Sequence, residues 1–187
     1  MGKSGSGKDT IFKELMKRAA LIPVITYTTR PMRANECDGD DYFFISPQKL
    51  SELKAAEKVI ECRSYNTVQG VWFYATVDDG QIDLGAGNYL LITTLEAYQK
   101  IFSYFGKDYV VPIYIDVPDG LRLSRVLSRE NEQEHPDYAE LCRRFLADCK
   151  DFSEEKLKYA GILECYSNVE FGECINNILD KMSLKSL

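Results

Sequence analysis

Three observations predict an α/β domain of three layers around a parallel central sheet. Apolar runs of strand length alternate with amphipathic segments of helical spacing along most of the chain. A Gly/Ser-rich loop stands directly before the first helical segment. The chain has 187 residues, 45% of them apolar. That is enough for one core burying roughly 70% of the extended-chain surface.

In order, residues 2–7 are the loop, and 11–20 predict a helix with Ile11, Leu15 and Ala19 on one side and Phe12 and Met16 beside them. Residues 21–27 predict a short buried strand, and 28–41 are polar and turn-rich. Residues 42–45 predict a strand and 47–58 an amphipathic helix. Residues 59–65 and 71–76 predict two strands joined at a Gln69-Gly70 turn. The apolar runs 88–93 and 110–117 suit a buried parallel sheet. Further helices are predicted over 95–104, 118–130, 136–152 and 171–182. The stretch 26–76, rich in short strands, Arg and Tyr, breaks the alternation and reads as an insertion devoted to one ligand.

Twenty-three Lys and Arg against 29 Asp and Glu leave a net charge of −6, unsuited to non-specific nucleic-acid binding. No apolar run approaches the ~18 residues of a membrane span, and the first residues are Gly, Ser and Lys rather than a secretory signal. The six cysteines form no CxxC pair, as expected of thiols in a reducing, cytoplasmic setting. With His135 the only histidine, a zinc site is not expected.

Gly2-Lys3-Ser4-Gly5-Ser6-Gly7-Lys8 matches GxxxxGK, the phosphate-loop pattern. Glycines let the backbone wrap around phosphate oxygens with its N–H groups inward, and the helix that follows adds a positive dipole end. Lys8 is then placed to reach the β- and γ-phosphates. Ser4, Gly5, Ser6, Gly7, Lys8, Asp9 and Thr10 are the candidate ATP contacts. The Ser or Thr that usually follows the lysine and holds Mg²⁺ is Asp9 here, with Thr10 behind it. The sequence opens inside the loop, so Met1 is expected to be an internal residue or a misplaced start, with a short upstream apolar run completing the sheet.

A second anion site is predicted at Arg30 and Arg33, three apart across a Pro turn, with the Tyr42 hydroxyl nearby. The whole stretch reads TTRPMRANECDGDDYFF from Thr28 to Phe44. It resembles the guanylate kinase family, whose pattern runs TTR-x-PR-x-GE-x-x-G-x-DY-x-F. The resemblance is strongest from Gly2 to Thr76 and weaker beyond Leu90. It implies a P-loop NTPase fold with a parallel central sheet, an inserted mixed-β NMP-binding subdomain and a helical lid. The implied limits are a core of 1–25, 77–118 and 153–187, a GMP-binding insertion of 26–76 and a lid of 119–152.

The resemblance further implies that Arg30, Arg33, Tyr42 and Tyr74 hold the acceptor phosphate. Val59-Ile60-Glu61-Cys62 is similar to the family's F-[IL]-E-[WY], which makes Glu61 the acceptor for guanine N1 and N2. Adenine would bring an acceptor there, so a carboxylate selects the base. Phe73-Tyr74-Ala75-Thr76 is similar to YYG[ST], placing Thr76 on the guanine edge, and Thr26 stands where a hydroxyl helps read the base. Arg125 and Arg129, four apart on one helix face, and Arg144 on the next helix match the lid arginines that close over ATP and neutralise charge on the transferring phosphoryl group.

One departure is plain. The family's D-x-D at the end of the middle strand falls at Ile92-Thr93-Thr94, without a carboxylate. Asp9 is the expected substitute, holding Mg²⁺ directly or through water; as an alternative it caps the helix.

The implied reaction is in-line phosphoryl transfer from MgATP to GMP or dGMP, with Lys8, Arg129 and Arg144 as the catalytic cations. A monomer or homodimer acting on ATP and GMP, with no nucleic-acid or membrane partner, is the expected form. Two alternatives stand beside it: a kinase of ribose 1,5-bisphosphate type acting on a sugar phosphate, and a weakly catalytic guanylate-kinase-like binding module.

Overall fold

The computed structural model describes residues 1–67 and 70–183. In chain order its elements are α1 (Lys8–Arg18), β1 (Leu21–Pro23), β2 (Tyr27–Thr28), β3 (Phe43–Phe44), α2 (Pro47–Ala55), β4 (Val59–Thr67), β5 (Gly70–Val77), β6 (Asn88–Leu90), α3 (Leu95–Phe105), β7 (Ile115–Asp116), α4 (Asp119–Asn131), α5 (Tyr138–Asp151), α6 (Glu154–Tyr159), β8 (Tyr166–Ser167) and α7 (Phe171–Ser183). They fall into two compact units. The first comprises Met1–Ala19, Ile92–Leu95 and the chain from Val111 onward; the second comprises Ala20–Leu91 and Glu96–Val110.

In the first unit β7 and β8 pair in parallel, Ile115 opposite Tyr166. Gly2 adds a parallel bridge to Ile115. The Met1 nitrogen donates to the Ile113 carbonyl, and the Ile115 N–H returns a bond to the Met1 carbonyl, both at 2.8 Å. The glycine loop therefore leaves directly from the side of β7. α1 buries Ile11 and Leu15, and α7 beside it buries Cys174, Ile175 and Ile178 completely. That spacing draws a single stripe down one helix face. α4 is held on α5 by Arg122, 1% exposed. Its guanidinium lies 3.8 Å from the Phe145 ring and donates to Asp119 Oδ1 at 2.7 Å and Cys149 Sγ at 3.0 Å.

The second unit contains a four-stranded mixed sheet of order β3-β2-β5-β4 and a separate parallel pair, β1 with β6. Alternation along β5 sends Phe73, Ala75 and Val77 to one face. There they pack with Leu50 and Leu53 of α2 and with Tyr27, Ile45, Val59 and Cys62. Ser46 caps α2 by accepting from the Lys49 N–H, and Pro47 starts it.

The predicted helices are present, with ends displaced by a few residues, and α6 is an addition started by the Ser153 side chain at Lys156 N. The predicted strands of the core are cut short. Of 110–117 only Ile115–Asp116 is a strand, and Pro112 within it has no N–H for a ladder. Of 21–27, β1 ends at Pro23, and the Gln81 side-chain amide then takes both backbone groups of Ile25, as a strand partner would. Where one central sheet was expected, the described residues form two separate parallel ladders, β1-β6 and β7-β8, each within its own unit. The Gln69 half of the expected turn lies outside the described residues.

Candidate active site

The first unit holds the glycine loop. Gly5 and Gly7 have φ of 80° and 84°, the left-handed conformation that glycine adopts at least cost. Close packing adds a second reason for glycine: a Cβ on Gly5 would stand 2.5 Å from the Arg122 carbonyl oxygen, and one on Gly7 2.5 Å from Asn168 Nδ2. Gly7 is the N-cap of α1 and no side chain caps the helix, so its first-turn N–H groups remain for an anion. Asn168, 4% exposed, donates from Nδ2 to the Ser6 carbonyl at 2.8 Å and fixes the loop to the end of β8. Ser6 Oγ and Asn168 Oδ1 are buried and without a partner among the described residues.

Lys8 Nζ folds back and donates to the Lys3 carbonyl at 3.2 Å. Burial lowers its pKa from the ordinary lysine value; Asp9 and Asp148 oppose that shift, and Arg129 adds to it. Arg129 therefore lies within electrostatic reach of the loop lysine. Arg125 donates to the Asn168 carbonyl at 3.0 Å and so adjoins the same loop. Arg144 is exposed and ion-paired to Glu140 at 3.1 Å. Asp9 and Thr10 are exposed on the first turn of α1. Ser4 donates its backbone N–H to Asp148 Oδ2 at 2.6 Å. Asp148 and Asn168 were not singled out from the sequence. An acid four residues beyond Arg144 on the same helix and an Asn directly after the stretch 162–167 are the signals that mark them.

The second unit holds the other candidate residues on the face of the mixed sheet opposite Leu50. A bulge between Val59 and Glu61 shifts the β4–β5 register, so that Glu61 faces Thr76 and Arg63 faces Tyr74. Glu61, 2% exposed, accepts from Thr76 Oγ1 at 2.7 Å. It also accepts from Arg63 Nε at 3.0 Å and Nη2 at 3.3 Å. Arg30, 4% exposed, makes a bidentate pair with Glu36 and lies 5.1 Å from the Tyr42 ring and 5.4 Å from the Phe44 ring. Tyr42 and Tyr74 meet edge to face, centroids 5.7 Å apart.

The Arg30 hydrogen bonds hold the Glu36 carboxyl down at about 2, against the opposing effect of burial. Those same bonds raise Arg30, with Tyr74 adding in that direction and burial opposing. Burial first, then Tyr74, push the Tyr42 hydroxyl up, while Arg30 and Arg63 pull it back. Arg33 has an exposed side chain, and its backbone N–H donates to Glu36 at 2.9 Å. Thr26 accepts from Phe43 N through its carbonyl at 2.9 Å. Glu36 and Arg63 were missed from the sequence. Both stand within three residues of a named site residue, and only the fold shows that they pair with it.

Among the described residues, no group of three or more His, Cys, Asp or Glu side chains gathers to hold a metal. Among them too, no helix is long and apolar enough to cross a membrane.

Residues 1–79, which carry the glycine loop, Arg30, Tyr42, Glu61 and Thr76, match the Guanylate kinase family model. A guanylate kinase of Wolbachia pipientis wMel is 29% identical over 98% of this chain and 89% of its own length. One from Rhodopirellula baltica is 33% identical over 49% of this chain, but that match spans only 44% of its length. The crystal structure of guanylate kinase from Anaplasma phagocytophilum superposes with a TM-score of 0.65 at 16% identity, covering 98% of this chain and 82% of that one, which shows a shared α/β fold. Over residues 1–79 the chain thus resembles guanylate kinases by family model, and over nearly its whole length it is similar to one of them at 29% identity.

Proposed function

We propose that the chain transfers the γ-phosphoryl group of ATP to GMP. The observation that carries the reading is Glu61: a buried carboxylate, set by a bulge against Thr76, on the same sheet face as Tyr74. A carboxylate there accepts from guanine N1 and N2 and rejects adenine, which offers an acceptor at N1. A sugar phosphate would leave Glu61 and Thr76 without a task.

The remaining roles follow from charge and position. Arg30, Arg33, Tyr42 and Tyr74 hold the acceptor phosphate, with Thr26 assisting at the base. Ser4 to Thr10 cradle the ATP phosphates; Lys8 neutralises charge on them, helped by Arg125, Arg129 and Arg144. Mg²⁺, when bound, would offset phosphate charge and orient the transferring group, and Asp9 would hold one of its ligand positions, directly or through water. The acceptor is already an anion and needs no strong base. Coupled ADP release with GMP, dGMP, AMP and ribose phosphates tests the reading. Turnover confined to GMP and dGMP is expected; turnover with a ribose phosphate instead, or no nucleotide binding, would replace it with one of the two alternatives.

A further inference from the structure

Arg63 lies two residues beyond Glu61 on β4, on the same sheet face and opposite Tyr74. Its Nε and Nη2 reach the two different oxygens of Glu61, at 3.0 and 3.3 Å, while Thr76 Oγ1 adds a bond to Oε1 at 2.7 Å. The Glu61 side chain has no solvent exposure and that of Arg63 is 13% exposed. Two parallel N–H donors on the two oxygens of one carboxylate are the pattern that a guanine edge presents from N1 and N2. Arg63 therefore fills the carboxylate with the donor set the base would bring. An ionised carboxylate has about four lone-pair sites, and Arg63 and Thr76 use three of them. The base and the bidentate arginine cannot both be served.

We propose that Arg63 is a specificity-determining residue that masks Glu61 in the free acceptor pocket and must turn away before guanine seats. The proposal rests on the reading of GMP as acceptor. Guanine binding then exchanges one bidentate partner for another, so much of the contact energy at the base is used in displacing Arg63. Only a base with both donors can make the exchange. Adenine lacks that pair of donors and leaves Arg63 on Glu61. Where it stands, the guanidinium also acts electrostatically on Tyr42.

The test is calorimetric titration of GMP and of AMP into the wild-type chain, Arg63→Ala and Arg63→Lys, with thermal melts to establish that each variant is folded. Loss of the bidentate competitor should lower the GMP dissociation constant by roughly tenfold in Arg63→Ala, the equivalent of one hydrogen bond to a charged group. AMP should not gain. Arg63→Lys keeps the charge but cannot span both oxygens, so it should fall between the two, and it carries the test if the alanine variant does not fold. A GMP constant that stays put or rises in the folded variants would overturn the proposal, since a residue that merely props Glu61 would behave that way. ADP release with GMP separates the two levels. Turnover with unmoved constants discards only the role of Arg63, whereas a wild-type chain and variants that neither bind nor phosphorylate GMP discard the acceptor reading as well.

Discussion

The backbone nitrogen of Ser4 donates to the carboxylate of Asp148 at 2.6 Å. A side chain from α5 thus occupies one N–H of a loop whose other features suit an anion. Asp148 also acts on Lys8, raising its pKa against the effect of burial. On the proposed role of the loop, the carboxylate and a phosphate oxygen would compete for the same donor. Replacing Asp148 by Asn or Ala should therefore tighten MgATP binding by about tenfold, one charge-assisted hydrogen bond no longer having to be displaced. Calorimetry on the two variants measures this, and weaker binding would mean that Asp148 supports the nucleotide instead.

Gly5 tests the loop itself. A methyl group at this position meets a backbone oxygen of α4 at 2.5 Å, and the backbone holds φ at 80°. Neither can relax without moving the loop or the helix. Gly5→Ala should cost about 1–3 kcal/mol of stability, within the range for a strained backbone position. It should also weaken ATP binding, because the N–H groups lose their common focus. A urea melt and an ATP titration read the two effects separately.

Much of this was legible in the sequence, and what was not has physical causes. GxxxxGK and the TTR…DY stretch read as two candidate anion sites because glycine and paired arginine are each suited to that role for a local geometric reason. The helices were legible because their apolar stripes repeat along the chain. Asn168 and Arg63 were not, since their roles come from residues up to 162 positions away or from a bulge that shifts the register. The core strands read too long for a related reason. Apolar runs such as 110–117 report burial, whereas a ladder also needs backbone donors, and Pro112 supplies none.

The proposed role of Glu61 in reading the base, with Thr76 bonded to it, gives two expected responses. Glu61→Gln replaces one acceptor oxygen by a donor aimed where guanine also donates, so the KM for GMP should rise about ten- to a hundredfold. Thr76→Ala removes one hydrogen bond to the carboxylate and should have a smaller effect, on the order of fivefold, from about 1 kcal/mol. Steady-state ADP release with GMP and AMP checks both. Equal losses with the two bases would show that Glu61 supports the sheet rather than reads the base.

Glu36 links the stability of the chain to pH. Its carboxyl is held at about 2 in the folded chain, against an ordinary 4.5, chiefly by the hydrogen bonds from Arg30. A group whose pKa is lower in the folded state stabilises that state above its unfolded pKa and loses the contribution as pH falls toward the folded one. The Arg30–Glu36 contribution should therefore be complete above pH 4.5 and disappear between pH 4.5 and about 2. Urea midpoints measured across that window should fall more steeply for the wild-type chain than for Glu36→Gln, which has no proton to take up at this position. On the proposed role of Arg30 in holding the acceptor phosphate, the same substitution removes a competing carboxylate, so at neutral pH the variant should be less stable yet recover more stability than the wild type when GMP is added. A carboxyl resonance of Glu36 that titrates near 4.5 in the folded protein would show that the bidentate pair is not formed in solution.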